Sequence, residues 1–124
     1  MTGLIPFSGG LQARIFLYNL PVDMRRSFDG LMAIVQSEFA QDIRQGDLFV
    51  FINKRRDRIK ILWWDDDGLA IFMKRLEQGT FEMPRVSDDQ AHVTIDATQL
   101  AMLIGDVPLA SANARRKRMV SQLF

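Results

Sequence analysis

The sequence predicts a single α+β domain, and three observations carry that prediction. Apolar residues recur at spacings of three and four between residues 24 and 39, as on one face of a helix. Three runs rich in β-branched and aromatic residues follow between residues 48 and 76. A second, shorter helical pattern closes near residue 105 with its own start and stop signals. Helix, strands and helix around one core make an α+β architecture. A length of 124 residues suits one domain, and 48% apolar with 25% charged residues is ordinary for a globular chain. The expected domain spans residues 1–108, and residues 109–124 are expected to form a mobile basic extension.

The elements follow in order. Residues 1–10, with Pro6 and Gly9-Gly10, read as an irregular lead-in. ARIFLY (13–18) reads as a short strand, bounded by Gly10 and by Asn19-Leu20-Pro21. Asp23 is placed to cap a helix from Met24 to Phe39. The stripe of that helix is Met24, Phe28, Leu31, Val35 and Phe39, with Phe28, Leu31 and Val35 expected to face the sheet. Gly30 within it predicts a close backbone approach, since glycine there costs about 1 kcal/mol against alanine. LFVFI (48–52), IKILWW (59–64) and LAIFMKRL (69–76) read as an antiparallel three-strand meander, with Ile52 opposite Ile59 and Trp64 opposite Leu69. Asp65-Asp66-Asp67-Gly68 supplies the second hairpin turn. The first two strands are apolar on both alternations, which predicts a sheet covered on both faces. HVTI (92–95) adds a further short strand. Asp96 with Gln99 forms a capping box for a last helix, stopped by Gly105 and Pro108.

Composition narrows the chemistry. Without cysteine there is no disulfide, thiolate nucleophile or cysteine-ligated metal. One histidine, His92, cannot form a His–His metal pair, and its Val/Thr/Ile setting reads as a packed or solvent-facing side chain. No serine has a Gly-x-Ser-x-Gly context, and no Gly-rich loop has phosphate-binding spacing. Asp65-Asp66-Asp67 reads as a turn former, because successive strand residues point to opposite faces and do not converge on Mg²⁺. The reading is noncatalytic, with no cofactor. No stretch reaches 18 apolar residues and the first residues lack a secretory pattern, so no membrane partner is expected and the cytoplasm is the expected compartment.

Charge supplies the positive signal. The formal net charge of +1 hides a segregation of 16 basic from 15 acidic residues. Lys54, Arg55, Arg56, Arg58 and Lys60 crowd against a single acid, Asp57. The meander pairing brings Lys74 and Arg75 to the same end, so Lys54, Arg55, Arg56, Arg58, Lys74 and Arg75 are expected to share one edge. Clustered cations of this kind suit phosphate contacts, while a solvated loop with Asp57 as internal partner is the plainer alternative. Arg25 and Arg26 pose a second question. Cations in a helix's first turn oppose its dipole unless an anion joins them at the free amides or Asp23 and Asp29 pair with them locally. Arg115, Arg116, Lys117 and Arg118 give the C-terminal extension four further cations. Trp63 and Trp64 point to opposite faces, one into the core and one available to a base or a partner.

With these residues in view, the chain resembles a bacterial family. It is similar to the transposase accessory proteins encoded by the second reading frame of insertion-sequence family sixty-six, the Orf2-like or TnpB proteins. The resemblance rests on PVDMRRSFDGLMAIVQ (21–36), on GDLFVFINKRRDRIKILWWDDDGLAIFMKRLEQGTFEMP (46–84), on the lead-in around Ile5-Pro6 and on TIDATQLAMLIGDV (94–107). The middle block is the most specific. The ending PLASANARRKRMVSQLF departs from the Trp-Arg-containing close of relatives. The resemblance implies a noncatalytic helper in DNA transposition that acts beside a separate transposase, its partner. The basic edge would contact double-stranded DNA or a transposase–DNA complex; a protein-only scaffold that binds the transposase is the alternative.

Overall fold

Short β-branched and aromatic runs pair into a five-stranded sheet in the computed structural model, which describes residues 13–84 and 91–105. The lead-in, the boundary at residue 108 and the extension carrying Arg115, Arg116, Lys117 and Arg118 lie outside the described residues. Strand β1 (Ile15–Tyr18) leads into helix α1 (Phe28–Ile34), which continues as a π-helical turn over Val35–Phe39. Strands β2 (Leu48–Ile52), β3 (Arg58–Asp65) and β4 (Gly68–Arg75) form the meander. Strand β5 (His92–Ile95) and helix α2 (Ala97–Ile104) complete the described elements. The order across the sheet is β4-β3-β2-β1-β5.

The meander has the expected register, with Ile52 opposite Ile59 and Trp64 opposite Leu69. Its second turn does not use the Asp67-Gly68 pair. Asp66, at φ 57°, and Asp67 make the turn, and Gly68 opens β4 opposite Asp65. The β1–β2 pair is parallel, Ile15 beside Leu48, a geometry that needs a crossover, and α1 supplies it. β5 then returns antiparallel to β1 on the far side, Ile15 facing Ile95. Where β1 meets β2, the buried Asp47 accepts from the Arg14 amide and guanidinium, at 3.1 and 2.8 Å, which pins the two strand starts together.

Both sheet faces are covered, as the double apolar alternation predicts. On one face Phe16, Phe49, Phe51 and Leu62 pack with Leu31, Val35 and Phe39 of the first helical segment. On the other Leu17, Val50, Ile61 and Trp63 pack with Leu100, Leu103 and Ile104 of α2. All five residues of β2 are buried. The α2 start is the expected capping box: Asp96 Oδ1 accepts from the Gln99 amide at 2.7 Å, and Gln99 Oε1 accepts from the Asp96 amide at 2.9 Å. Gly105 ends the helix in the left-handed region at φ 83°.

The first helix corrects the sequence reading in three ways. It begins at Phe28 and not at Met24, because residues 24 and 25 form a turn ahead of it. Asp23 is therefore no helix cap; its carboxylate accepts from the Arg25 amide at 2.9 Å, while Ser27 stands at the cap position without a side-chain bond. Phe28, expected in the core, is 43% exposed. As the first residue of a shortened helix it lies outside the cover that begins at Leu31. Gly30 does answer a close approach, but a local one: a Cβ there would lie 3.1 Å from that of Arg26.

Candidate nucleic-acid interface

The loop joining β2 to β3 is built on one side chain. Asn53 Oδ1 accepts from the amides of Asp57 and Arg58, each at 3.0 Å, and Asn53 Nδ2 donates to Asp57 Oδ1 at 2.7 Å. An Asn that bonds to the backbone a few residues on is a turn-forming device. It permits Arg56 to sit at φ 60°, a region unfavourable to a long side chain, with the Arg56 amide on the Asn53 carbonyl at 3.0 Å. The chain beyond β4 braces the loop from outside. Leu76 donates its amide to the Asp57 carbonyl and Phe81 donates to that of Arg56, both at 2.7 Å. The one acid of the loop is thus bonded to Asn53 rather than serving as counter-ion to the arginines. Lys54, Arg55, Arg56 and Arg58 are exposed, and none forms an ion pair with another described residue.

The segment 21–25 stands across from this loop. Its Val22 amide donates to the Ile52 carbonyl at 3.0 Å, and Lys60 donates its ammonium to the carbonyls of Met24 and Arg26 at 2.8 and 2.7 Å. These ties hold open a cleft of about 540 Å³ lined by Arg25, Lys54, Arg55 and Arg58, with Asp23 on its wall. Arg25, read from the sequence as a separate question, thereby joins the basic loop. Its guanidinium pairs with Asp23 at 2.6 Å. The side-chain bond from Arg25, and after it the Arg25 amide, hold the Asp23 carboxyl at about 2, and the pair raises the Arg25 pKa in turn. Arg56 turns to a smaller cleft of about 220 Å³ on the other side of Pro21 and Asn53.

Other candidates are placed elsewhere. Lys60 is only 8% exposed and its ammonium is committed to two backbone carbonyls, so it positions the Arg25 segment and does not offer a charge to an outside phosphate. Lys74 donates to the Ile104 carbonyl at 2.6 Å, at the negative end of α2. Arg75 stands directly opposite Arg58 across the β3–β4 pair and is bonded to Glu77 at 2.8 Å. Arg26 precedes α1, so no first-turn anion site joins it to Arg25; it lies exposed beside a cleft that includes Tyr18 and Glu38. Burial, ahead of the Glu38 carboxylate that accepts its hydroxyl at 3.2 Å, raises the Tyr18 pKa. Trp63 is buried, and Trp64 donates to the Asp66 carbonyl at the acidic end of the meander, away from the basic loop. His92 packs its ring 4.5 Å from that of Phe39. Among the described residues no group of three His, Asp or Glu side chains is arranged to hold a metal ion.

Sequence reasoning found the cations and missed what arranges them. Asn53 carried a readable signal, its spacing to Asp57. The brace from Leu76 and Phe81 and the approach of residues 21–25 depend on long-range packing and had none.

The described residues form a small α+β domain that presents guanidinium groups on a braced loop. The chain is a member of the IS66 Orf2-like protein family, whose model matches residues 13–114. It is similar to two uncharacterized proteins of Sinorhizobium fredii (strain NBRC 101917 / NGR234). One, y4jC, is 42% identical over 81 residues, 65% of this chain and 69% of that protein. The other, y4hO, is 31% identical over 98 residues, covering 79% and 84%. No solved structure matches the chain. Family membership makes this an accessory protein of an IS66-type transposition system, functionally associated with that system's transposase.

Proposed function

We propose that the chain assists transposition by placing its basic cleft on the phosphate backbone of duplex DNA, alone or within a transposase–DNA complex. One observation supports this reading above the others: Arg25, Lys54, Arg55 and Arg58 line one open cleft, and the last three form no ion pair with a described residue. Guanidinium forks match phosphate oxygens bidentately, and such contacts set position without reading sequence. Binding therefore follows the number of phosphates engaged and is nearly indifferent to base sequence. Any selectivity for the element's ends comes from the partner in the complex.

The experiment is co-purification of this protein with the transposase, with and without nuclease treatment, for the natural chain and for a variant with Lys54, Arg55 and Arg58 changed to Ala. The proposal expects nuclease and the triple change each to reduce recovery. Recovery that resists nuclease yet is abolished by the triple change identifies an acidic protein surface as the cleft's target, and overturns the DNA reading.

A further inference from the structure

β4 is an edge strand with an unusual profile. It is eight residues long and no described strand pairs with its outer side. None of its residues is fully buried, although Leu69-Ala70-Ile71-Phe72-Met73 is an uninterrupted apolar run. Met73 is 56% exposed. Edges of this length are normally blunted by proline, by a bulge or by a charge in mid-strand. Here the charges stand only at the ends, Asp66 and Asp67 at one and Lys74 and Arg75 at the other. The opposite edge, β5, has four residues.

We infer that β4 pairs antiparallel with β4 of a second copy of this chain, joining two five-stranded sheets into one. The charge pattern selects this occupant and its register. A two-fold axis through Ile71 sets Leu69 against Met73 of the second copy and Ala70 against its Phe72, apolar on both faces. The same axis puts Asp67 opposite Arg75 of the second copy, and the symmetry repeats that contact. A parallel pairing would instead stack Arg75 on Arg75 and Asp67 on Asp67, which like-charge repulsion disfavours. The two basic clefts then lie toward opposite ends of the joined sheet, so the dimer presents two phosphate-binding surfaces. Dimerisation stands on the edge strand alone and holds whether or not the clefts meet DNA.

The test is sedimentation of the full chain over a range of concentrations, with hydrogen exchange of the β4 amides alongside. A monomer–dimer equilibrium is expected, with protection of residues 69–75 rising as the dimer forms. Asp67→Arg and Arg75→Asp should each weaken the dimer roughly tenfold, because each turns two attractive contacts repulsive. The double exchange should restore it. Met73→Lys, at an exposed position that leaves the monomer's core intact, should also weaken it. Thermal melts check that each variant is folded. A chain that remains monomeric at every concentration overturns the inference, as does a monomer whose β4 amides are already protected, since its own terminal segment then covers the edge. A dimer indifferent to both single charge changes overturns it too.

Discussion

Asn53 and Asp23 decide how the arginines are presented. Removing the Asn53 side chain takes away the acceptor of two loop amides and the donor to Asp57. Asn53→Ala should destabilise the fold by about 1–3 kcal/mol, the range for leaving partly buried polar groups without partners, as read from denaturant midpoints. It should also weaken DNA binding on every duplex alike, because the loop that presents Lys54, Arg55 and Arg58 to the cleft loses its support. Asp23 acts in the other direction: its carboxylate holds Arg25 in the same cleft a phosphate would enter. Asp23→Asn should therefore tighten DNA binding and steepen its salt dependence by up to about 0.9 in log–log slope, the equivalent of one more phosphate contact. The pH dependence has a definite sign. A carboxyl lowered from 3.8 to about 2 adds to stability above 3.8, and that contribution is lost as pH falls through 2. At neutral pH the competition from Asp23 is thus fully present, and a carboxyl chemical-shift titration reads its midpoint directly.

At the scale of elements, legibility followed the range of the forces involved. The β2–β3–β4 meander, its register and the α2 capping box are written in neighbouring residues, and periodicity, turn chemistry and a four-residue cap pattern recover them. The start of α1 is different. A stripe through Met24 and Phe28 has helical spacing, yet the backbone at residues 24–26 is held by Lys60 from β3, a tie no local pattern reveals. The parallel β1–β2 pair and the placement of β5 beside β1 are likewise set by tertiary packing. The consequence for stability is specific. Leu31 is fully buried, so Leu31→Ala should cost about 2–5 kcal/mol, whereas Phe28→Ala, at a position 43% exposed, should cost clearly less than the ~3–5 kcal/mol of a buried phenylalanine. Thermal or denaturant melts of the two variants side by side check the assignment. Equal losses would return Phe28 to the core.

For the whole molecule, the α2 side of the sheet supplies packing, and the end of the meander carries the basic cleft. The cations themselves were legible as a cluster in Lys54–Lys60. Their sorting was not, since it takes the fold to bury Lys60, send Lys74 to the α2 carboxyl end and bring Arg25 across from the loop. The central claim is that Lys54, Arg55 and Arg58, which line the basic cleft, meet DNA phosphates. The most direct measurement is a fluorescence-anisotropy titration of duplex DNA at several salt concentrations, for the natural chain and for the variant with all three changed to Ala. If each of these cations neutralises one phosphate, the log–log slope falls by about 2.7, at about 0.9 per contact, and affinity drops alike for every duplex sequence. The melting temperature stays close to that of the natural chain, because exposed charges contribute little stability. An unchanged slope in a variant that remains folded would contradict the account.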